Sequence, residues 1–331
     1  MIWPDDSTFA FLLTIDIDGD LPLLAENPEN VHRLKSRSVG LYGPEHGAGR
    51  LLRVLGKHGL HADWFIPGEI ARRYPELVRE IAARGHGIGV HGDKHLDFDR
   101  LQADEQIAEM ANGRDAIIGA LRNRPASIDQ MPDAGPRHSS GRSTHDTAPA
   151  RAFEVADARE DRLGACNGFR LPAGEWAPGF PDAMAAAGFS WSSSLPYSEY
   201  PFALGQSGLT EIPFKYELDD NQYLGFNLDP PFPPGGSRIM PLEFVEENWG
   251  CELQGAARYG TLLHVRLNAE VMGIASRARM LDRFLGKVLN TEGVWVASCD
   301  RLDELTRGLP SEGEHCGNNP YNLWMRLTHR Q

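Results

Sequence analysis

The stretch Phe9-Ala10-Phe11-Leu12-Leu13-Thr14-Ile15-Asp16-Ile17-Asp18 decides how this chain is read. A run that is apolar but for Thr14 reads as a strand covered on both faces, as in a parallel sheet. Residues two apart on a strand point the same way, so Asp16 and Asp18 present two carboxylates to one place at its end. A lone carboxylate buried at such a position is costly, which argues for a site there. The continuation Gly19-Asp20 invites a calcium loop, but Leu21 and Asn27 stand where that loop needs Gly and Glu. A plain Asp/Gly turn is the simpler alternative.

A second strand-like run, His86-Gly87-Ile88-Gly89-Val90, leads into His91-Gly92-Asp93-Lys94-His95. Two imidazoles four residues apart are as often surface decoration as a metal site. Their place just past a strand end favours the metal site, because barrel enzymes gather their active groups there. Two His and one Asp can hold a catalytic metal with open positions, leaving the second Asp as a base. Asp93 and Lys94 between the histidines are expected to face solvent.

Working outward, strand-like and helix-like segments alternate. Helices are expected at about Ala48–Lys57, Pro75–Arg84, Ala103–Leu121 and Ser276–Leu289, with strands at His61–Ile66, Gly188–Ser194, Thr210–Pro213, Tyr259–Val265 and Gly293–Ser298. That alternation implies an α/β domain with a parallel sheet, closed as a barrel. Residues 126–167 dissolve into Ser, His, Gly, Pro, Arg and Asp, a polar insertion expected to be a lid, a subunit contact or a disordered loop. A Pro/Gly-rich loop covers Asp229–Gly236.

The 331 residues, 41% hydrophobic and 24% charged, supply a sizeable core for one domain. The net charge of −13 argues against nucleic acid and anionic membrane surfaces as partners. Cys166, Cys251, Cys299 and Cys316 form no C-x-x-C pair and read as reduced thiols. With no signal-like segment at the start, a cytoplasmic location is expected.

These motifs resemble the polysaccharide deacetylase family, the group that shares the NodB-homology domain, over roughly Phe9 to Cys299. Within it the chain looks closest to the cytoplasmic branch of peptidoglycan deacetylase-like, cyclic imidase and allantoinase-like members. The resemblance implies a distorted (β/α)7-type barrel in a single domain. It implies Asp16 as general base, Asp18, His91 and His95 as metal ligands, and Arg170 of Gly168-Phe169-Arg170-Leu171-Pro172 as the partner that holds Asp16 ionised. Pro172, Trp176 and Ser193 are the substrate-binding candidates. The fourth motif, usually Asp-Ser-Ser-Leu, here has Ser192 in place of the Asp. The fifth, usually His-Pro followed by Gly-Arg, reads Leu263-His264-Val265-Arg266-Leu267-Asn268, with Gly273 later, and makes His264 the candidate general acid. Glu217-Leu218-Asp219-Asp220 matches a stretch of that branch; it shapes the pocket or a subunit contact, or is a solvated charge run.

The implied activity is hydrolysis of a non-peptide C–N bond by water activated on a divalent metal. Zinc is the expected ion, with cobalt, manganese or nickel fitting the same ligands. A small N-acyl compound or cyclic amide is favoured as substrate. The alternatives are an N-acetyl sugar polymer deacetylase and a catalytically retired, metal-free binding subunit. The branch resemblance also implies a homo-oligomer.

Overall fold

An apolar strand without polar alternation needs cover on both sides, and β1 (Phe9–Asp16), buried at every residue, has it. The structure is a computed structural model that describes residues 3–122, 166–205, 207–225 and 239–308. Most of the 126–167 insertion, the Asp229–Gly236 loop and Cys316 lie outside the described residues. Strands β2 (Asp63–Ile66), β3 (Gly87–Val90), β4 (Gly168–Phe169), β5 (Trp191–Ser192), β6 (Phe202–Leu204), β7 (Leu209–Glu211), β8 (Leu262–Asn268) and β9 (Val294–Val296) complete one sheet. Its order is β6-β7-β5-β4-β3-β2-β1-β8, with β9 added on β1. All pairings are parallel except β6 on β7. Among the described residues no strand pairing joins β8 to β6, so the sheet curls as a distorted, incompletely closed barrel.

The helices, in chain order, are α1 (Leu21–Glu26), α2 (Leu34–Tyr42), α3 (Ala48–His58), α4 (Gly68–Arg73), α5 (Pro75–Ala83), α6 (Ala103–Arg122), α7 (Phe180–Ala186), α8 (Asp220–Leu224), α9 (Leu242–Tyr259), α10 (Ala269–Met272), α11 (Ala275–Leu289) and α12 (Cys299–Arg307). The expected α3, α5, α6 and α11 are present within a residue or two. The other eight helices, α1, α2, α4, α7, α8, α9, α10 and α12, had no counterpart in the sequence reading. The segment Tyr259–Val265, expected as strand, is divided: Tyr259 ends α9, and β8 begins at Leu262 and runs on to Asn268. The polar stretch before α3 holds α2, which buries none of its residues and so carries no apolar stripe to betray it. Among the described residues, no helix is long and apolar enough to cross a membrane.

Strand alternation sorts the core into two compartments. Phe9, Phe11, Leu13 and Ile15 of β1 pack outward with Trp64, Ile66, Leu263, Val265 and Leu267 against the helices. Ala10 and Leu12 point inward with Phe65, Trp191 and Leu262 and fill the lower barrel. The interior is narrow. A Cβ on Gly89 would meet the Phe65 ring at 2.7 Å, and one on Gly168 would meet Trp191 at 2.1 Å, so glycine is required where those rings cross neighbouring strands. Above this apolar plug the inward positions turn polar: Thr14 and Asp16 on β1, and His264, Arg266 and Asn268 on β8. The barrel's open end therefore carries the chemistry.

Candidate active site

Asp16 ends β1 and lies in register with Phe65 on β2 and Asn268 on β8. Its carboxylate is fully buried and doubly paired: Arg170 Nη1 donates to Oδ1 at 2.5 Å and Arg266 Nε to Oδ2 at 2.9 Å. Burial alone would favour the neutral acid. The two guanidiniums overcome it and hold the carboxyl below its usual range. Arg170 is itself fixed on every side. It donates from Nε to Ser193 O at 3.0 Å, and from Nη2 to Thr14 Oγ1 at 3.0 Å and Ser193 Oγ at 2.9 Å, with its guanidinium 3.8 Å from the Phe65 ring centre. Such a planar, multiply bonded cation has one available orientation.

Asp18, His91 and His95 offer one ligand atom each, all within 4.8 Å of one another. His91 Nδ1 lies 2.9 Å from the Arg170 carbonyl, which can only accept, so Nδ1 carries the proton and Nε2 keeps a free lone pair. That Nε2 faces Asp18 Oδ1 at 3.4 Å, and His95 Nε2 lies 3.6 Å from the same oxygen. His91 Nε2 and Asp18 Oδ1 are buried with no hydrogen-bond partner. Buried orphan donors and acceptors are rare, and a set of two imidazoles and a carboxylate aimed at one point fits a divalent metal. Burial lowers His95 to about 4, so the ring is neutral at physiological pH, as a ligand must be.

The loop carrying the histidines is held under strain. His95 has φ of 58°, the left-handed region that a non-glycine residue enters only where its surroundings enforce it. The restraint comes from Glu109 on α6, whose buried carboxylate accepts the backbone N–H groups of Asp93 and Lys94. Asp93, expected in solvent, is instead buried and paired with Arg72 Nη2 at 2.5 Å. The reason is that α4 lies directly against this loop, with Gly68 and Glu69 donating to the carbonyls of Gly92 and Asp93.

Asp16, Asp18, His91, His95 and Arg170 thus converge. Ser193 joins them by holding Arg170. Pro172 and Trp176 are half-buried on the β4 side, the Trp176 ring tilted by 34° against Phe180 at 6.0 Å, and neither lines the cavity that opens on Asp18. That cavity, about 470 Å³, lies on the opposite side, between Asp18, Asn268, Glu270, Leu23, Val39 and Ile274. Ser192 is buried and bonds Ser194 Oγ at 2.9 Å.

His264, the candidate general acid, lies lower in the barrel than the other candidates. It pairs with Leu12, four residues and about 13 Å along the strand from the Asp16–Asn268 level. Its Nδ1 donates to Pro213 O at 2.8 Å, and its Nε2 accepts from Thr14 Oγ1 at 2.9 Å. Burial, with Arg170 nearby, lowers it to about 3. It is a neutral ring with both nitrogens engaged beneath the site.

Arg266 and Asn268 are the site residues that sequence reasoning missed. The signal was present: His264, Arg266 and Asn268 are polar at every second position, as on the inner face of one strand. Ending that strand at Val265 hid it. Asp219 and Asp220 complete the support and are no solvated charge run. Both are buried, Asp219 lying 3.6 Å from Arg266 and Asp220 accepting the Asn268 N–H at 3.0 Å.

The polysaccharide deacetylase family model matches residues 42–133, which include both histidines of the cluster. A peptidoglycan deacetylase-like protein of Gibberella zeae is 29% identical over 97 residues, 29% of each chain. A chitooligosaccharide deacetylase of Rhizobium leguminosarum bv. trifolii is 33% identical over 79 residues, 24% of this chain and 37% of its own. The matched stretches thus span only about a third of these curated relatives. A solved candidate polysaccharide deacetylase from Mycobacterium smegmatis matches over 93% of both chains, with 27% identity and a TM-score of 0.75. The chain is thus similar over most of its length to that solved structure, and its histidine loop falls within the stretch that matches the polysaccharide deacetylase family model.

Proposed function

We propose that the chain is a metal-dependent hydrolase of a non-peptide C–N bond, with a small N-acyl compound or cyclic amide as its substrate. The observation that carries this reading is the pair of buried, unpartnered atoms His91 Nε2 and Asp18 Oδ1, gathered with His95 beside an ionised Asp16. Asp18, His91 and His95 would hold a divalent ion, zinc being the first expectation, which lowers the pKa of water and polarises a carbonyl.

The chain's own groups then divide the proton work. Asp16 takes the proton of the attacking water as the new C–O bond forms. Arg170 and Arg266 keep its two oxygens in place throughout. Flanked by two cations, the protonated carboxyl is a strong acid and passes that proton to the leaving nitrogen as the C–N bond breaks. Acid and amine are the products. His264, with both nitrogens engaged, serves Asp16 indirectly through Thr14 and Arg170.

The cavity of about 470 Å³ beside Asp18 falls in the range of small-molecule sites and supports the small substrate. Hydrolysis of an N-acetyl sugar is the second reading, favoured by what the curated relatives are said to act on. Product NMR on metal-loaded protein separates them: ring-opened product from cyclic amides supports the first, and free acetate from N-acetylglucosamine oligomers the second. No product from either set contradicts the hydrolase reading.

A further inference from the structure

We propose that Asn268 is the residue that selects the substrate, by accepting a hydrogen bond from the amide N–H, so that the site takes N–H amides and imides and rejects N-alkylated ones. The inference rests on the hydrolase reading above for where the amide lies.

Asn268 is held by two partners that leave one atom over. Its backbone N–H donates to Asp220 at 3.0 Å, and its Nδ2 donates to Asp18 Oδ2 at 3.1 Å. The second contact fixes the amide's orientation, since a carboxylate oxygen can only accept. Asn268 Oδ1 is left buried with no partner, on a residue 94% removed from solvent (6% exposed) that lines the cavity beside the proposed metal ligands. An unmatched acceptor in such a place costs free energy until a donor arrives. The register supplies the geometry: Asn268 pairs with Asp16 across β8 and β1, at the level of the carboxylate that handles the proton. An amide whose carbonyl met an ion held at Asp18 would lie beside Asn268, whose Nδ2 is 3.1 Å from Asp18 Oδ2. Leu23, Val39, Leu224 and Ile274 line the rest of the cavity and suit the carbon part of such a molecule.

A site built around a buried acceptor discriminates strongly against ligands that lack the donor, because the acceptor then stays unpaired. The test uses metal-loaded full-length protein and two probes, succinimide and N-methylsuccinimide, with dissociation constants read by ligand-observed NMR. Wild-type protein should bind succinimide about tenfold more tightly, the value of one net hydrogen bond. Asn268→Ala and Asn268→Leu should bring the two constants together by weakening succinimide alone. Equal binding by wild type, binding of neither probe, or discrimination that survives in both variants would overturn the proposal. Metal content and product formation are measured on the same samples. Discrimination without turnover would count against the hydrolase reading alone, and equal turnover of both probes against Asn268 alone.

Discussion

Arg266 Nε lies 2.9 Å from Asp16 Oδ2, on the carboxylate oxygen that Arg170 leaves free. One buried carboxylate is thereby shared between two guanidiniums. The consequence is an Asp that stays ionised despite complete burial and whose orientation is fixed from both sides.

Removing one cation should therefore be visible in the pH dependence. Arg266→Met is expected to raise the acid limb of the kcat/KM profile by about 1 to 3 pH units, because Asp16 loses one of two charges that favour its anion. Turnover at neutral pH should fall by roughly ten- to a hundredfold, with metal content unchanged. An unmoved acid limb would separate Arg266 from the ionisation of Asp16.

Glu109 touches neither metal ligand side chain but holds the loop on which both histidines stand. Glu109→Ala should weaken metal binding by roughly ten- to a hundredfold, the usual effect of losing a supporting contact. Glu109→Gln, which keeps an acceptor, should recover most of the loss. Calorimetric titration of zinc into the apo variants measures both.

His264→Gln distinguishes support from acid catalysis. The His264 ring bridges Pro213 O and Thr14 Oγ1, so its loss should cost about 1 to 3 kcal/mol of stability. The kcat/KM profile should keep its alkaline limb. Loss of that limb in a folded variant would restore His264 as the proton donor.

Glu211, the last residue of β7, is raised by burial from 4.5 to about 7, with Oε1 accepting the N–H groups of Ser194 and Leu195 and Oε2 buried without a partner. The folded chain thus binds a proton that the unfolded chain has released. Its contribution to stability is full below about 4.5 and is lost as pH rises through about 7. At 1.36 kcal/mol per pKa unit that gap corresponds to about 3 kcal/mol. Glu211→Gln should flatten the fall of Tm between pH 5 and 8. An unchanged slope would show that Glu211 ionises normally in the folded state.

Much of this was legible in the sequence because strands written as unbroken apolar runs leave little choice. Phe9–Asp16 had to be a central parallel strand, and a carboxylate at its end had to have partners. His91 and His95 could be read because they follow β3 directly. Arg266 and Asn268 were hidden for an equally physical reason. They lie on the inner, polar face of β8, where alternation looks like an exposed strand, and only the pairing Asp16↔Asn268 identifies them as buried site groups. The cavity was illegible because its walls come from α1, α2, α8 and α10, segments far apart in the chain.

The most direct test of the central claim is the metal content of the purified protein and three variants. Wild type should carry one divalent ion per chain at the Asp18/His91/His95 cluster. Asp18→Asn and His95→Ala should lose it, while Asp16→Asn should keep it and lose turnover. Wild-type protein that hydrolyses amides without metal, or variants that retain the ion unchanged, would contradict the account.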